Sequence, residues 1–180
     1  MASFHFEPLP ALARGDLDLV VTADPIPMSG IYYQPLFRYQ ALLAIANQHK
    51  VADCRNVEAE DLADQTLIHY PVERKRLDIF TQFLEPKGIE PIGTRQADLT
   101  LMIVQLVASG RGVACLPNWA LQPYLNAGLI SSKPLGKSGV WPTLYAAIRE
   151  DQMDTSYMKD FLQQSLQACN ENLVGIEPVK

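Results

Sequence analysis

The 180-residue chain lacks the features that mark disulfide-bonded, zinc-binding, secreted and membrane proteins. Its only cysteines, Cys54, Cys115 and Cys169, are far apart and form no CxxC pair, which argues against a disulfide framework and a structural zinc site. No apolar run approaches the roughly 18 residues that a membrane span requires. The opening residues have neither a basic nor an apolar region, so they do not form a signal peptide. We therefore expect a cytoplasmic protein without a membrane segment, a metal or a cofactor.

Basic residues are also scarce. The 15 Lys and Arg residues against 20 Asp and Glu residues give a formal charge of -5, and 48% of the side chains are hydrophobic. This composition is too apolar for a disordered chain, and the length is sufficient to bury a core. The negative balance disfavours phosphate, so nucleic-acid binding would need a strong local basic patch. The basic cluster Arg74-Lys75-Arg76 is too small for a duplex and indicates either a small anion site or a solvated first helical turn.

Signatures of catalysis are absent as well. The sequence contains no glycine-rich phosphate loop, no GxSxG nucleophile elbow and no HExxH zinc motif. The histidines, His5, His49 and His69, lie in separate segments without a carboxylate at metal-ligand spacing, which indicates surface or hydrogen-bonded side chains. Cys115 lies in an apolar segment and is typical of an inert core thiol. We therefore expect no catalytic residue and a protein that is not an enzyme.

Hydrophobic patterning instead predicts an α/β fold in which strands alternate with helices. The predicted strands are 17–22, 31–37, 39–46, 66–70, 112–117, 129–135 and 144–148. The predicted helices are a short turn at 9–15, a segment from about 77 that ends at 86–88, and the segments 98–110, 119–127 and 156–172. This alternation favours largely parallel sheets.

Two of these segments carry further expectations about burial and order. The helix that follows Asp98 is apolar almost all round, so we expect Asp98 to cap it and the whole helix to be buried. The tail Gly175–Lys180 contains proline, and we expect it to be loose.

Four predicted strand ends provide candidate ligand-binding residues. In open α/β sheets, small ligands bind beyond the carboxyl ends of strands, where the next helix offers free backbone amides. Such ends occur at Thr22–Asp24, Tyr70–Val72, Ala97–Thr100 and Leu116–Asn118. The segment Tyr70–Val72 is the strongest of the four, because a strand end and a helix start coincide there.

These residue types suit a small amino-acid ligand. Thr22, Thr100 and the amides after Tyr70 can donate to a carboxylate, whereas Asp24 or Asp98 can bind an ammonium group. Each of them also has an ordinary structural role, as a strand end, a helix cap or a turn residue, and that role stays open. The full candidate set, which adds apolar walls and two prolines, is Thr22, Asp24, Tyr70, Pro71, Val72, Asp98, Thr100, Val113, Leu116 and Pro117.

The ordered segments of the chain resemble the LysR-type transcriptional regulators. The stretch Pro10–Val20 is similar to the GELDLVI motif of that family, and Val104–Pro117 is similar to its V..G.GIALLP signature. The stretch Leu144–Arg149 matches its last sheet strand. The turn at His49 departs from the family pattern, because Lys50 stands where the family has proline. The resemblance covers nearly the whole chain.

This resemblance implies an effector-binding domain with a periplasmic-binding-protein type II-like fold. Such a domain has two Rossmann-like α/β subdomains joined by crossing strands, with the coregulator in the cleft between them. Residues 1–42 and 146–180 would then form regulatory subdomain I, and residues 43–145 would form subdomain II. Subdomain I would be incomplete, because its first strand and helix have no counterpart here. DNA would be bound only through a helix-turn-helix domain that is also absent from this chain.

Within the family, the matching stretches are most similar to regulators of methionine biosynthesis genes, whose coregulator is homocysteine. The supporting stretches are Tyr70–Asp78, Phe83–Gly88, Leu116–Trp119 and Leu144–Ala147. The resemblance therefore implies a ligand-sensing domain for homocysteine or a similar amino acid. We also expect a homodimer or a higher homo-oligomer, since regulators that read two half-sites are symmetric. A periplasmic solute-binding protein of similar fold and a small α/β enzyme with an unrecognised site remain alternatives.

Overall fold

The computed structural model describes residues 8–179, which divide into two compact units. The first unit consists of the described residues up to Arg38 and from Thr143 onward, and the second unit is Tyr39–Pro142. The boundaries predicted from the sequence lie nearby, after residues 42 and 145. His5 and the rest of the opening segment lie outside the described residues. Within residues 8–179, no helix is long and apolar enough to cross a membrane.

The described residues contain nine β-strands and four α-helices. The strands are β1 (Leu19–Thr22), β2 (Ile31–Tyr39), β3 (Ala41–Ile45), β4 (Thr66–His69), β5 (Gly93–Gln96), β6 (Val113–Pro117), β7 (Ser131–Pro134), β8 (Thr143–Arg149) and β9 (Ile176–Glu177). The helices are α1 (Pro8–Arg14), α2 (Thr100–Ala108), α3 (Asn118–Asn126) and α4 (Ser156–Asn172). Short 3₁₀ or π-helical turns lie at Ala59–Leu62, Arg74–Arg76, Ile79–Leu84, Glu85–Lys87 and Glu150–Gln152. The segment predicted as a helix from about residue 77 is helical, but it is a π-helical segment, Ile79–Leu84, that continues directly into a 3₁₀ turn, Glu85–Lys87.

The first unit is built on a four-stranded sheet of order β1-β8-β2-β9. In this sheet β8 lies antiparallel between β1 and β2, with Arg38 of β2 opposite Thr143 of β8. The prediction of largely parallel sheets is wrong for these pairs. The reason is that the chain leaves the unit at Arg38 and returns beside it at Thr143, so that β8 runs back along β2. The core of this unit contains Leu9, Leu12, Val20, Ile31 and Ala147.

The second unit contains a mixed five-stranded sheet of order β5-β4-β6-β3-β7. In it β4 runs parallel to β5 and β6, whereas β3 is antiparallel to β6 and β7. One face of the sheet packs on α2 and α3 through a core that includes Ile68, Val104 and Leu121. The other face packs on the short turns through a core that includes Leu67 and Phe80. The parallel strands therefore have their carboxyl ends at one edge of this unit.

Helix α2 differs from its prediction in two ways. Leu99, rather than Asp98, is the residue before the first helical turn, and no side chain caps the helix there. Leu99, Leu101 and Met102 are between 51% and 61% exposed, so the expectation that the whole helix is buried is wrong. Only one face of α2 packs on the sheet, and the opposite face meets solvent. The buried face carries Ile103, Val104 and Val107.

Part of the C-terminal tail is ordered by the first sheet. The segment Ile176–Glu177 forms β9, which is hydrogen-bonded to β2, and the guanidinium of Arg38 lies 3.5 Å from the carboxylate of Glu177. The expectation of a loose tail is wrong for these residues. The cause is the free edge of β2, which offers backbone donors and acceptors to an extended segment.

Gly112 permits the loop after α2 to approach β4 closely. Its φ angle is +152°, and a Cβ atom at this position would collide with the carbonyl oxygen of Thr66 and lie 3.2 Å from the side chain of Ile68. Because the colliding atom belongs to the backbone of a central strand, it cannot move without disturbing the sheet.

We expect Gly112→Ala to lower the free energy of unfolding by at least about 2 kcal/mol. Gly93→Ala is the matched control, because nothing lies within 4 Å of a Cβ atom at that strand position. The control should change stability by less than about 0.5 kcal/mol. Chemical denaturation followed by circular dichroism measures both values, and equal stabilities of the two variants would contradict this account of the turn.

Candidate functional site

Three strand ends meet at one edge of the sheet in the second unit. Parallel pairing places His69 opposite Gln96 and Ile68 opposite Ala114, so that β4, β5 and β6 end on the same side. In α/β sheets this is the edge at which ligands bind. The segments at the ends of these strands, together called the strand-end site, are Tyr70–Val72, Ala97–Thr100 and Pro117–Trp119.

A side-chain hydrogen bond joins two segments of the strand-end site. The hydroxyl oxygens of Tyr70 and Thr100 are 2.7 Å apart, and either hydroxyl can donate. The backbone supports this contact, because the amide of Ala97 donates to the carbonyl oxygen of His69 over 3.0 Å. The amide of Val72 donates to the carbonyl oxygen of Tyr70 over 2.8 Å, which turns the chain after β4. The end of β4 is thereby fixed against the first residue of α2.

Two helices begin at the strand-end site. Thr100 is the first residue of α2 and Asn118 is the first residue of α3, and neither helix has a side-chain cap. The amide of Asn118 donates to the carbonyl oxygen of Gln40 over 2.9 Å. The other first-turn amides have no acceptor inside their helices, and they carry the positive end of the helix dipole. A carboxylate is the kind of group that such amides bind.

The candidate residues of the first unit form a turn at the end of β1. The hydroxyl of Thr22 accepts a hydrogen bond from the amide of Asp24 over 3.0 Å and donates to the carbonyl oxygen of Asp24 over 3.3 Å. Both residues are half-buried. Their part in ligand binding stays a prediction from the sequence, since these bonds explain their presence as turn residues.

The remaining candidates fall into two groups. Pro71 and Asp98 are exposed beside the Tyr70–Thr100 contact, and Val72 and Pro117 are half-buried. Val113 and Leu116, in contrast, are core residues with 0% and 2% exposure. Val113 pairs with Leu67 at the amino end of β6, so it lies away from the edge where the strands end. As walls of a ligand site, Val113 and Leu116 stay predictions, and only Leu116 lies close to that edge.

An aromatic pair also occupies this edge. Trp119 packs edge-on against Tyr39, with ring centroids 6.4 Å apart and an angle of 81° between the planes. Tyr39 is 6% exposed, and this burial, with a smaller contribution from Asp78, raises its pKa. Trp119 is not among the residues that the sequence pattern selects. The available signal was a tryptophan two residues after Pro117, where a strand ends and a helix begins.

The thiol of Cys115 and the two imidazole groups of the second unit have structural roles. Burial raises the pKa of the Cys115 thiol to about 12, which agrees with an inert core thiol. The His49 ring bonds the side chain of Gln65 over 2.9 Å, and the His69 ring bonds the carbonyl oxygen of Tyr70 over 2.6 Å. In residues 8–179, no group of three or more His, Cys, Asp or Glu side chains is placed to hold a metal ion.

The basic cluster is neutralised by neighbouring carboxylates. The guanidinium of Arg74 donates to Glu85 over 2.7 Å and binds both oxygens of Glu90 over 2.8 and 2.6 Å. These bonds lower the pKa of Glu90. The ammonium of Lys75 lies 2.7 Å from the carboxylate of Glu73. The cluster therefore fits the solvated-turn interpretation better than that of an anion site.

A surface depression of about 600 Å³ lies at the opposite edge of the same sheet. It is lined by Ala46–Lys50, Ala108–Gly110 and Leu129. Several of its polar side chains bond within the fold: Asn47 donates to the carbonyl oxygen of Gly128 over 2.8 Å, and Lys50 binds Asp64 over 2.6 Å. We therefore place the candidate site at the strand ends, where helix amides and hydroxyls converge.

Comparison with known proteins gives concordant results. Residues 3–170 match the family model described as the LysR substrate binding domain. The HTH-type transcriptional regulator MetR of Escherichia coli K12 is 41% identical over 160 residues, which are 89% of this chain and 50% of that protein. MetR of Haemophilus influenzae is 36% identical over 176 residues, which are 98% of this chain and 57% of that protein. The chain thus spans about half the length of the curated relatives it matches.

A solved structure supports the same relationship. The regulatory domain of MetR, a LysR family regulator from N. meningitidis, matches with a TM-score of 0.87 and 36% sequence identity. The match covers 100% of this chain and 83% of that one. Domains of this type have a periplasmic-binding-protein type II-like fold, so the fold class predicted from the sequence is confirmed.

The Tyr70–Thr100 bond tests the geometry of the strand-end site. We expect Tyr70→Phe and Thr100→Val each to lower the free energy of unfolding by about 1 kcal/mol, because each removes one partner of the bond. The two costs should not add, and the coupling energy in the double variant should be about 0.5 to 1 kcal/mol. Chemical denaturation of the four proteins measures the cycle. Fully additive costs would show that the hydroxyls do not bond.

Proposed function

The chain belongs to the LysR substrate-binding-domain family, and from this premise we propose that it senses homocysteine for a regulator of methionine biosynthesis genes. It is a ligand-sensing regulatory domain, and its relatives are transcriptional regulators rather than enzymes. The solute-binding protein and the small α/β enzyme are therefore no longer needed as alternatives. The observation that carries the proposal is the similarity to MetR regulators over most of the chain.

The strand-end site has the groups that an amino-acid effector requires. We assign the carboxylate of the effector to the first-turn amides of α2 and the Thr100 hydroxyl, because these donors lie together. We assign the ammonium group of the effector to the carboxylate of Asp98, which is exposed and lies two residues before Thr100. Val72, which is half-buried, supplies an apolar contact for the short thiol-bearing chain. Tyr70 positions Thr100 through their hydrogen bond, and Pro71 and Pro117 shape the backbone beside it.

The regulatory effect of the ligand is a shift between two conformational states of the domain. A ligand changes such a balance only by the difference between its affinities for the two states. A tenfold difference in affinity changes the balance by about 1.4 kcal/mol. The proposed contacts supply such a difference if the segments after β4 and β5 reach the ligand together in one state only.

We assign DNA recognition to the rest of the parent protein. The curated relatives are named HTH-type regulators, and this chain spans about half of their length. Its formal charge of -5 is unsuited to phosphate. We therefore propose that a helix-turn-helix domain outside this chain binds the operator in the cytoplasm, and that this chain supplies the response to the effector.

Calorimetry with L-homocysteine tests the effector assignment. We expect the 180-residue chain to bind L-homocysteine and to bind L-serine at least about tenfold more weakly, because serine lacks the apolar thiol-bearing chain. Asp98→Asn should weaken homocysteine binding about tenfold or more, since it removes the charge that faces the ammonium group. Asp53→Asn, at another exposed aspartate, is the matched control and should bind as the parent chain does.

Two results would contradict this proposal in different ways. A folded chain that releases no heat with homocysteine would overturn the effector assignment. Equal homocysteine affinities of Asp98→Asn and Asp53→Asn would instead move the site away from Asp98, while the effector assignment would stand.

We further propose that the first unit is an incomplete subdomain I and that it self-associates through α4. Of the 17 residues of this helix, only Met158 is buried. Tyr157 and Phe161, one turn apart, are each 54% exposed, and the neighbouring Leu162 and Leu166 are only half-buried. The MetR regulatory domain from N. meningitidis extends beyond the part that this chain matches. Dimerisation of the chain would cover the apolar face of α4.

Sedimentation velocity tests this self-association. We expect the chain to form a homodimer at micromolar concentration, and the double variant Tyr157→Ser with Phe161→Ser to raise the dissociation constant at least about tenfold. The double variant Gln163→Ser with Gln167→Ser, on the polar side of the same helix, is the control and should leave the constant unchanged. A chain that is monomeric at all concentrations would contradict the proposal.

A further inference from the structure

One polar atom in the strand-end site is buried without a hydrogen-bond partner. The indole Nε1 of Trp119 is inaccessible to solvent, and it has no acceptor among residues 8–179. An indole nitrogen can only donate, so it cannot be satisfied by another donor. Folded proteins leave few such groups, so each one requires an explanation.

The position of this N–H group is set by its surroundings. Trp119 is the second residue of α3, and the helix start is held by the bond from the Asn118 amide to the carbonyl oxygen of Gln40, the residue before β3. The ring packs edge-on against Tyr39 with centroids 6.4 Å apart. Tyr39 is itself fixed, because its amide donates to the carbonyl oxygen of Pro142 over 3.0 Å. The indole N–H is therefore a fixed donor without a partner in this conformation, and a ligand reaches it only when the segments around it move.

The other tryptophan of the chain provides a contrast. The indole nitrogen of Trp141 donates to the carbonyl oxygen of Ser138 over 3.2 Å, which closes a local turn. The two tryptophans of the second unit therefore differ in the bonding of their indole N–H groups. Trp141 uses its N–H group within the fold, whereas Trp119 does not.

We propose that the Trp119 indole N–H donates a hydrogen bond to the carboxylate of the amino-acid effector, an inference that rests on the proposed function. A carboxylate is the strongest acceptor that an amino acid carries, and charge-assisted bonds to it are stronger than neutral ones. Trp119 lies in the first turn of α3, whose free amides carry the positive end of the helix dipole. Trp119 then selects ligands that carry a carboxylate, and it joins α3 to the contacts already assigned to α2.

Calorimetry on three proteins tests this assignment. Trp119→Phe keeps an aromatic ring and removes the N–H group, so we expect L-homocysteine to bind at least tenfold more weakly. The probe 3-aminopropane-1-thiol, which is homocysteine without its carboxylate, should bind Trp119→Phe and the parent chain with equal, weak affinity. Trp141→Phe is the matched control and should bind homocysteine as the parent chain does. The melting temperature of Trp119→Phe should not fall more than that of Trp141→Phe, because no bond within the fold is lost.

A second measurement leaves the Trp119 side chain intact. In the Trp141→Phe protein labelled with ¹⁵N-tryptophan, the single indole N–H resonance should move downfield when L-homocysteine is added and should stay in place with 3-aminopropane-1-thiol. This measurement tests the proposal even if Trp119→Phe does not fold.

The possible failures are distinguishable. If the parent chain binds homocysteine and Trp119→Phe binds it equally well, the role of Trp119 is overturned while the proposed function stands. An indole resonance unmoved by saturating homocysteine has the same meaning. If the parent chain binds no homocysteine, the effector assignment fails, and this inference fails with it.

Discussion

The parallel pairing of β4 with β5 and β6 is the interaction on which the functional assignment depends. These backbone hydrogen bonds bring segments that are distant in the sequence to one edge, with His69 opposite Gln96 and Ile68 opposite Ala114. A shift of register by one residue would exchange the side chains that face the two cores of this sheet, such as Leu67 and Ile68, and would disturb the packing on both faces. The Tyr70–Thr100 bond and the two helix starts follow from this alignment.

The proposed site suits recognition of a ligand rather than its conversion. Its polar groups are hydroxyls, backbone amides, an indole N–H group and an exposed carboxylate, which together match the charges of an amino acid. The nearby thiol of Cys115 is held protonated by burial, and the rings of His49 and His69 are bonded within the fold. The groups that could bind a ligand are thus separate from the thiol and imidazole groups, which agrees with a domain whose relatives are regulators.

The local hydrophobic pattern predicts the individual helices and strands of this protein better than it predicts how the strands pair. The apolar periodicity of 156–172 predicts α4 with its observed bounds, and the strand at 66–70 is β4. The antiparallel position of β8 is not predictable from local pattern, because it depends on where the chain returns after an excursion of about a hundred residues. The strand β5 was not predicted as such, since its polar sequence shows no hydrophobic alternation and its order comes from pairing with β4.

The residues of the candidate site, like the strands and helices, were predictable from the sequence only in part. The rule that ligands bind at strand ends selects Tyr70 and Thr100, which the fold joins. It also selects Val113, which is buried at the other end of its strand.

Hydrogen exchange with and without L-homocysteine tests the central claim most directly. The account predicts slower exchange of the amides of Tyr70 and Val72 and of those in 99–101 and 118–120, with no change in 46–50 beside the surface depression. Protection confined to 46–50 and 108–110 would contradict it and would place the effector at the opposite edge of the sheet.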